Sequence, residues 1–145
     1  MKRILLLFVI AFVLNAIWEH AHSLLYESYQ NGHITELILF RATLADAVMI
    51  TAIVAPFIYL PSLQKHCWLI FVIGSILAIG IELYALSTGR WVYNEYMPLI
   101  PLFPPLVSVG LTPIIQLGLL GYISYSIQQY LSSFMGSITF KRNIL

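Results

Sequence analysis

Glu19, Asp46 and Glu82 are the residues of this chain that most need a chemical explanation, because each stands inside a run of apolar residues. A carboxyl group taken out of water must be paired, protonated or put to use. Arg41 is the one cation in the same runs, so ion pairing alone does not neutralise all three acids. Desolvation and like-charge crowding then favour keeping a proton on at least one of them near neutral pH. Such a group can donate a proton, bind a cation or accept a proton in transit, and the residue types leave these three open. Asn15, Glu19, His22 and Tyr26 recur at i, i+4, i+7 and i+11, one stripe along a helix. His20 lies about 100° round from Glu19 and falls off that stripe.

The surroundings of these groups follow from composition. Of 145 residues, 60% are hydrophobic and 9% charged, and the mean hydropathy is +0.89. Soluble domains are about a quarter charged, and a domain this small has too little interior to hide so much apolar surface. The solvent for most of the chain is therefore lipid. A net charge of +1 gives no basic excess for nucleic acid. The single cysteine, Cys67, excludes an intramolecular disulfide and reads as an apolar filler.

A helical span needs about 20 mainly apolar residues. Four segments qualify, at about 4–25, 37–60, 67–86 and 111–131, giving an all-α, polytopic membrane fold in a single domain over 1–145. The first begins like a signal peptide, but no small-x-small cleavage site follows, so it reads as an uncleaved span. Asn31-Gly32 marks the turn after it, and Pro61 closes the second span. Pro101, Pro104 and Pro105 exclude a regular helix over 98–110, which reads as a broken or re-entrant piece. Pro113 then falls in the first turn of the last span, where proline is tolerated. Lys2, Arg3, Lys65, Lys141 and Arg142 cluster in the termini and the 61–66 loop, and the positive-inside rule makes those cytoplasmic.

With that orientation every acid lies in the outer half of the membrane or outside it. Glu19 and His22 come at the outer end of span one, Arg41 one turn into span two, Asp46 about 14 Å in, Glu82 in the outer quarter of span three, and Gln116 just inside span four. Gly74, Ser75, Ala78 and Glu82 form a small-residue stripe that admits a neighbouring helix. Catalytic candidates are Glu82, Glu19 and Asp46; binding candidates are His22, Arg41, Arg90, Trp91, Tyr93, Gln116 and Asn15. Bland readings stand beside these. Arg41 can be a structural partner of Glu19 or Glu82, or can snorkel to headgroups. Trp18, Trp91, Tyr93 and Tyr96 can form an interfacial aromatic belt. His20-x-His22 sets the imidazoles about 200° apart, poor geometry for one ion, and His33 and His66 lie in loops on opposite sides, so no metal, haem or other cofactor is expected. No phosphate-binding, dinucleotide, zincin or serine-hydrolase signature is present.

The stretch "GIELYALSTGRWVYNEYMPLIP", residues 80–101, sets an acid, Glu82, ahead of Thr88-Gly89 and Tyr93. It resembles the carotenoid-biosynthesis membrane proteins of the carotenoid hydratase type, which carry a Glu, then Thr-Gly, then a Tyr-containing stretch before a proline-rich segment. This chain is much shorter and has Arg90-Trp91 after the glycine. The resemblance implies acid-assisted addition of water to an isoprenoid double bond, with Glu82 as the acid. The expected function is acid–base chemistry on, or binding of, an isoprenoid-like lipid in the outer leaflet. A proton- or cation-coupled carrier or channel subunit is the second reading, which would need several copies to enclose a path. Ser124, Ser126 and Gln128 are its only markers in the cytoplasmic half. An accessory subunit of a membrane complex is the third.

Overall fold

The computed structural model describes residues 2–102 and 107–142, with side chains in the last helix described as far as 134. Helix α1 (Lys2–His22) has no glycine or proline to interrupt it, and it passes through a 3-10 turn (Ser23–Leu25) into strand β1 (Tyr26–Tyr29). Thr35 starts α2 (Glu36–Tyr59), its hydroxyl accepting the Ile38 N–H at 3.4 Å, and Glu36 places an acid at the positive end of the helix. Leu60 is extended because Pro61 follows it, which ends α2. The short α3 (Pro61–Gln64) leads to α4 (Trp68–Ser87).

Gly89 terminates α4 with φ +61°, in the left-handed region where glycine has no Cβ penalty. Its N–H reaches the Leu86 carbonyl at 3.2 Å, and the Arg90 N–H reaches Ala85 at 2.9 Å, two bonds that close the last turn. Strands β2 (Trp91–Tyr93), β3 (Leu99–Leu102) and β4 (Val107–Gly110) follow, and then α5 (Leu111–Arg142).

The chain is mostly helical, as expected, and among the described residues three helical segments are long and apolar enough to cross a membrane: Lys2–Leu25, Glu36–Tyr59 and Trp68–Ser87. α5 carries Gln116, Gln128 and Gln129 and is not among them; it also runs eleven residues past the expected end at 131. Leu5, Val9, Val13 and Ile17 face outward along α1, as do Leu37, Phe40, Leu44 and Val48 along α2. Helices apolar on their outer as well as inner faces suit lipid, not water.

Two short antiparallel pairs depart from a purely helical reading. β1 pairs with β2, Tyr26 opposite Tyr93 and Tyr29 opposite Trp91. β3 pairs with β4, Leu99 opposite Gly110, within the segment expected to be an irregular loop. Pro101 is accommodated because β3 has one paired edge only. The part of that expectation concerning Pro104 and Pro105 lies outside the described residues. The turn after β1 is centred on Gln30 and Asn31, both at positive φ, instead of on Asn31-Gly32. Tyr29 and Gly32 exchange both backbone hydrogen bonds, which fixes the two central residues one place earlier.

α4 and α5 make the closest helix contact, and Gly74 and Gly118 permit it. A Cβ at Gly118 would come within 2.4 Å of the Phe71 carbonyl oxygen, and one at Gly74 within 2.6 Å of the Gly118 Cα. Both obstacles are backbone, so the helices themselves must part. Gly118→Ala is expected to cost about 1–3 kcal/mol through overpacking; a melting temperature equal to wild type in detergent would show that the interface is looser than drawn.

Candidate functional site

All four long helices bring polar side chains to one end of the bundle, the end that carries the strands. At its centre Gln116, 5% exposed on the second turn of α5, donates from Nε2 to Glu19 Oε1 at 2.6 Å and Asp46 Oδ2 at 2.8 Å. Asn15 Oδ1 is a third acceptor at 3.2 Å, and the Asn15 amide donates to the Ala11 carbonyl at 2.8 Å. An amide nitrogen has two hydrogens, so three acceptors leave the group one proton short. The one amide of Gln116 thus clamps two half-buried carboxyl groups, Glu19 and Asp46, side by side.

Glu82 is built differently. It is 3% exposed, and its Oε2 receives the Trp91 Nε1–H at 3.3 Å and the Tyr93 hydroxyl. Tyr93 is oriented by the Gly110 N–H, which donates to its oxygen at 3.1 Å. The phenol therefore points its hydrogen at the carboxyl group. Burial, and after it the bond to Glu82, holds the Tyr93 hydroxyl above its ordinary range. Burial, followed by the Glu82 charge, does the same to Tyr26. Both phenols stay protonated at neutral pH. Glu82 Oε1 has no donor among the described residues.

Glu19, Asp46 and Glu82 line one cavity of about 350 Å³. α2 packs on α1 and α4 on α5, whereas α2 and α4 meet sparsely, and the cavity fills the space between them. Its walls include Ile34, Ile38, Ala42, Met49, Ala78 and Ile81, and exposed Arg41, Ala45 and Arg90 stand at its edge. The Tyr26 ring lies 5.0 Å from His22, 5.5 Å from Tyr93 and 6.0 Å from Trp91, joining the α1 and α4 ends into one aromatic wall.

The structure corrects the expected pairing of Arg41. Among the described residues the one ion pair is His20–Glu36, at 3.0 Å on the surface. Arg41 pairs with neither Glu19 nor Glu82; the donors that reach those carboxyl groups are the neutral Gln116, Trp91 and Tyr93. Asn15 supports Gln116 and does not line the cavity. His22 lines it, but its Nε2 is engaged with the Thr112 hydroxyl at 2.7 Å. Tyr26 reaches the cluster from a strand, not as the last member of a helical stripe. Thr88 bonds the Tyr84 carbonyl at 2.8 Å and Gly89 ends the helix, so the Thr-Gly pair serves the turn and not the cavity. Ser124 and Gln128 are fully buried whereas Ser126 is exposed, so these three do not line a common path. Tyr29 and Thr112 belong to the site without having been singled out in the sequence; only the strand pairing and the α1–α5 contact bring them there. Among the described residues no three His, Cys, Asp or Glu side chains are grouped to hold a metal ion.

No family model, curated protein or solved structure matches this chain.

Proposed function

We propose that this chain is a multi-pass membrane protein, with α1, α2, α4 and α5 as spans and both termini cytoplasmic, that binds an isoprenoid-like lipid and does acid–base chemistry on it. The observation that carries the reading is the cavity: three carboxyl groups meet apolar and aromatic walls in one space between α2 and α4, a helix pair that meets sparsely and is apolar on its outer faces. Such surroundings suit a lipid chain better than a water-soluble substrate.

The chemistry that fits is addition of water across a carbon–carbon double bond. A proton carried by the Glu19–Asp46 pair passes to one alkene carbon, leaving both carboxylates anionic and the other carbon cationic. The π faces of Trp91 and Tyr26 stabilise that cation. Water attacks it, and the proton it releases goes to Glu82, so that one water is added and the carboxyl groups together hold the same number of protons as before. Return of the proton from Glu82 to the pair completes the cycle. A positioned acid or base of this kind contributes about 10²–10⁴-fold in rate.

Untargeted mass spectrometry of the protein extracted in mild detergent tests the reading. An unsaturated isoprenoid, or its hydrated product, is expected to be enriched over the bulk lipid. Recovery of phospholipid alone, in the proportions of the surrounding membrane, would remove the basis for it. For the orientation, a C-terminal reporter that works only outside the cytoplasm should be silent, and full activity would overturn the four-span arrangement.

A further inference from the structure

We propose that the ligand of this cavity is an amphiphile with a phosphate-type anionic headgroup, bound by Arg41 and Arg90 at the cavity edge while its apolar chain lies between α2 and α4. This rests on the reading of the cavity as a lipid site and goes beyond it by fixing the chemistry of the headgroup.

Both arginines line the cavity, both are exposed, and among the described residues neither has an ion pair although three carboxyl groups line the same space. The donors that reach the acids are neutral ones: Gln116 for Glu19 and Asp46, Trp91 and Tyr93 for Glu82. The guanidinium groups consequently keep their donors for something else. Each has five, in a planar fork that matches phosphate oxygens two at a time.

Arg90 is also held in place. Its N–H bonds Ala85 at 2.9 Å, its carbonyl accepts from the Gln30 N–H at 2.7 Å, and its guanidinium lies 5.6 Å from the centre of the Tyr84 ring. A side chain whose backbone is tied to both α4 and the β1 turn presents its charge at a defined point. Arg41 lines the same cavity from α2, with Ile38, Ala42, Ala45 and Ile81 among its apolar lining. Exposed cationic groups beside an apolar lining match the polarity of an anionic amphiphile. A volume of about 350 Å³ is within the range of small-molecule sites.

The competing account is that the arginines contact bulk headgroups and ignore the cavity. Binding of dodecyl phosphate, dodecanol and inorganic phosphate to the full chain in neutral detergent separates the two, measured by native mass spectrometry with melting temperature alongside. Dodecyl phosphate should bind one to one and raise the melting temperature, and inorganic phosphate should do neither. Arg41→Gln and Arg90→Gln should each weaken dodecyl phosphate about tenfold or more, since each removes charge-assisted hydrogen bonds. Ala45→Phe leaves both arginines intact and fills the cavity, so it should abolish binding, whereas bulk headgroup contact would survive it. Because Arg41, Arg90 and Ala45 are exposed, these variants should fold.

Unchanged binding in the arginine variants or in Ala45→Phe overturns the proposal, as does inorganic phosphate binding as tightly as the alkyl phosphate. Dodecanol bound as well as dodecyl phosphate sinks the headgroup assignment but leaves the lipid cavity standing. Failure of both chain-bearing probes sinks the two together.

Discussion

Gln116→Leu should destabilise the protein by about 1–3 kcal/mol for each of the two half-buried carboxyl groups whose shared donor it removes. Leucine fills much of the same volume, so little of the loss comes from a cavity. What remains is Glu19 and Asp46 facing each other without the amide that now reaches them at 2.6 and 2.8 Å. Without that donor, ionisation of both would set two unscreened like charges side by side. The variant should therefore melt far below wild type in the same detergent. Combining it with Glu19→Gln should recover part of the loss, since the new amide supplies Asp46 with a donor from the other side. If Gln116→Leu melts with the wild type, the three-helix junction is satisfied by other means and the clamp is not what holds α1, α2 and α5 together at this end. If it melts early and the double variant is no better, the loss lies in packing around α5 and not in the carboxyl pair.

That junction shows what a one-dimensional reading can and cannot reach. Periodicity places Asn15, Glu19 and His22 on one stripe because helix geometry is local, and Gly74 to Glu82 likewise shows a small-residue face against which α5 packs at Gly118. Capping by Gly89 is local too. Charge counting, by contrast, leads from three acids to a cationic partner, Arg41, whereas the acids are satisfied by an amide, an indole and a phenol. Neutral donors carry no charge signal, and Gln116 is marked only by being polar in an apolar run. The β1–β2 pair joins residues more than sixty positions apart, and nothing in "YESY" or "WVY" names the other as its partner. Tyr26 and Tyr29 reach the cavity only through that pairing. The β3–β4 pair escapes for another reason: three prolines argue against a helix with equal force whether the chain is a loop or an edge strand.

Glu82→Gln should abolish the proposed reaction while the fold survives. Both donors to Glu82, Trp91 Nε1 and the Tyr93 hydroxyl, converge on one oxygen, and the amide oxygen of glutamine can accept both. Its nitrogen can take the place of Oε1, which has no donor to lose among the described residues. Shape, burial and the Tyr93–Gly110 bond are therefore retained, and what disappears is the capacity to take up a proton. Under the hydration scheme, the water that attacks the cation then has no acceptor, and turnover should fall by about 10²–10⁴-fold. In the cell this appears as an unsaturated lipid accumulating on the variant in place of the mixture with its hydrated form. Glu27→Gln, on the exposed face of β1, is the control and should behave as wild type in stability and bound lipid. Tyr93→Phe adds a second measurement: it removes a donor that orients Glu82 but leaves the carboxyl group able to titrate, so activity should fall less than in Glu82→Gln. If Glu82→Gln carries the same lipids in the same ratio as wild type and Glu27→Gln, then Glu82 is a structural acceptor for Trp91 and Tyr93, and the proton must be returned elsewhere or not at all.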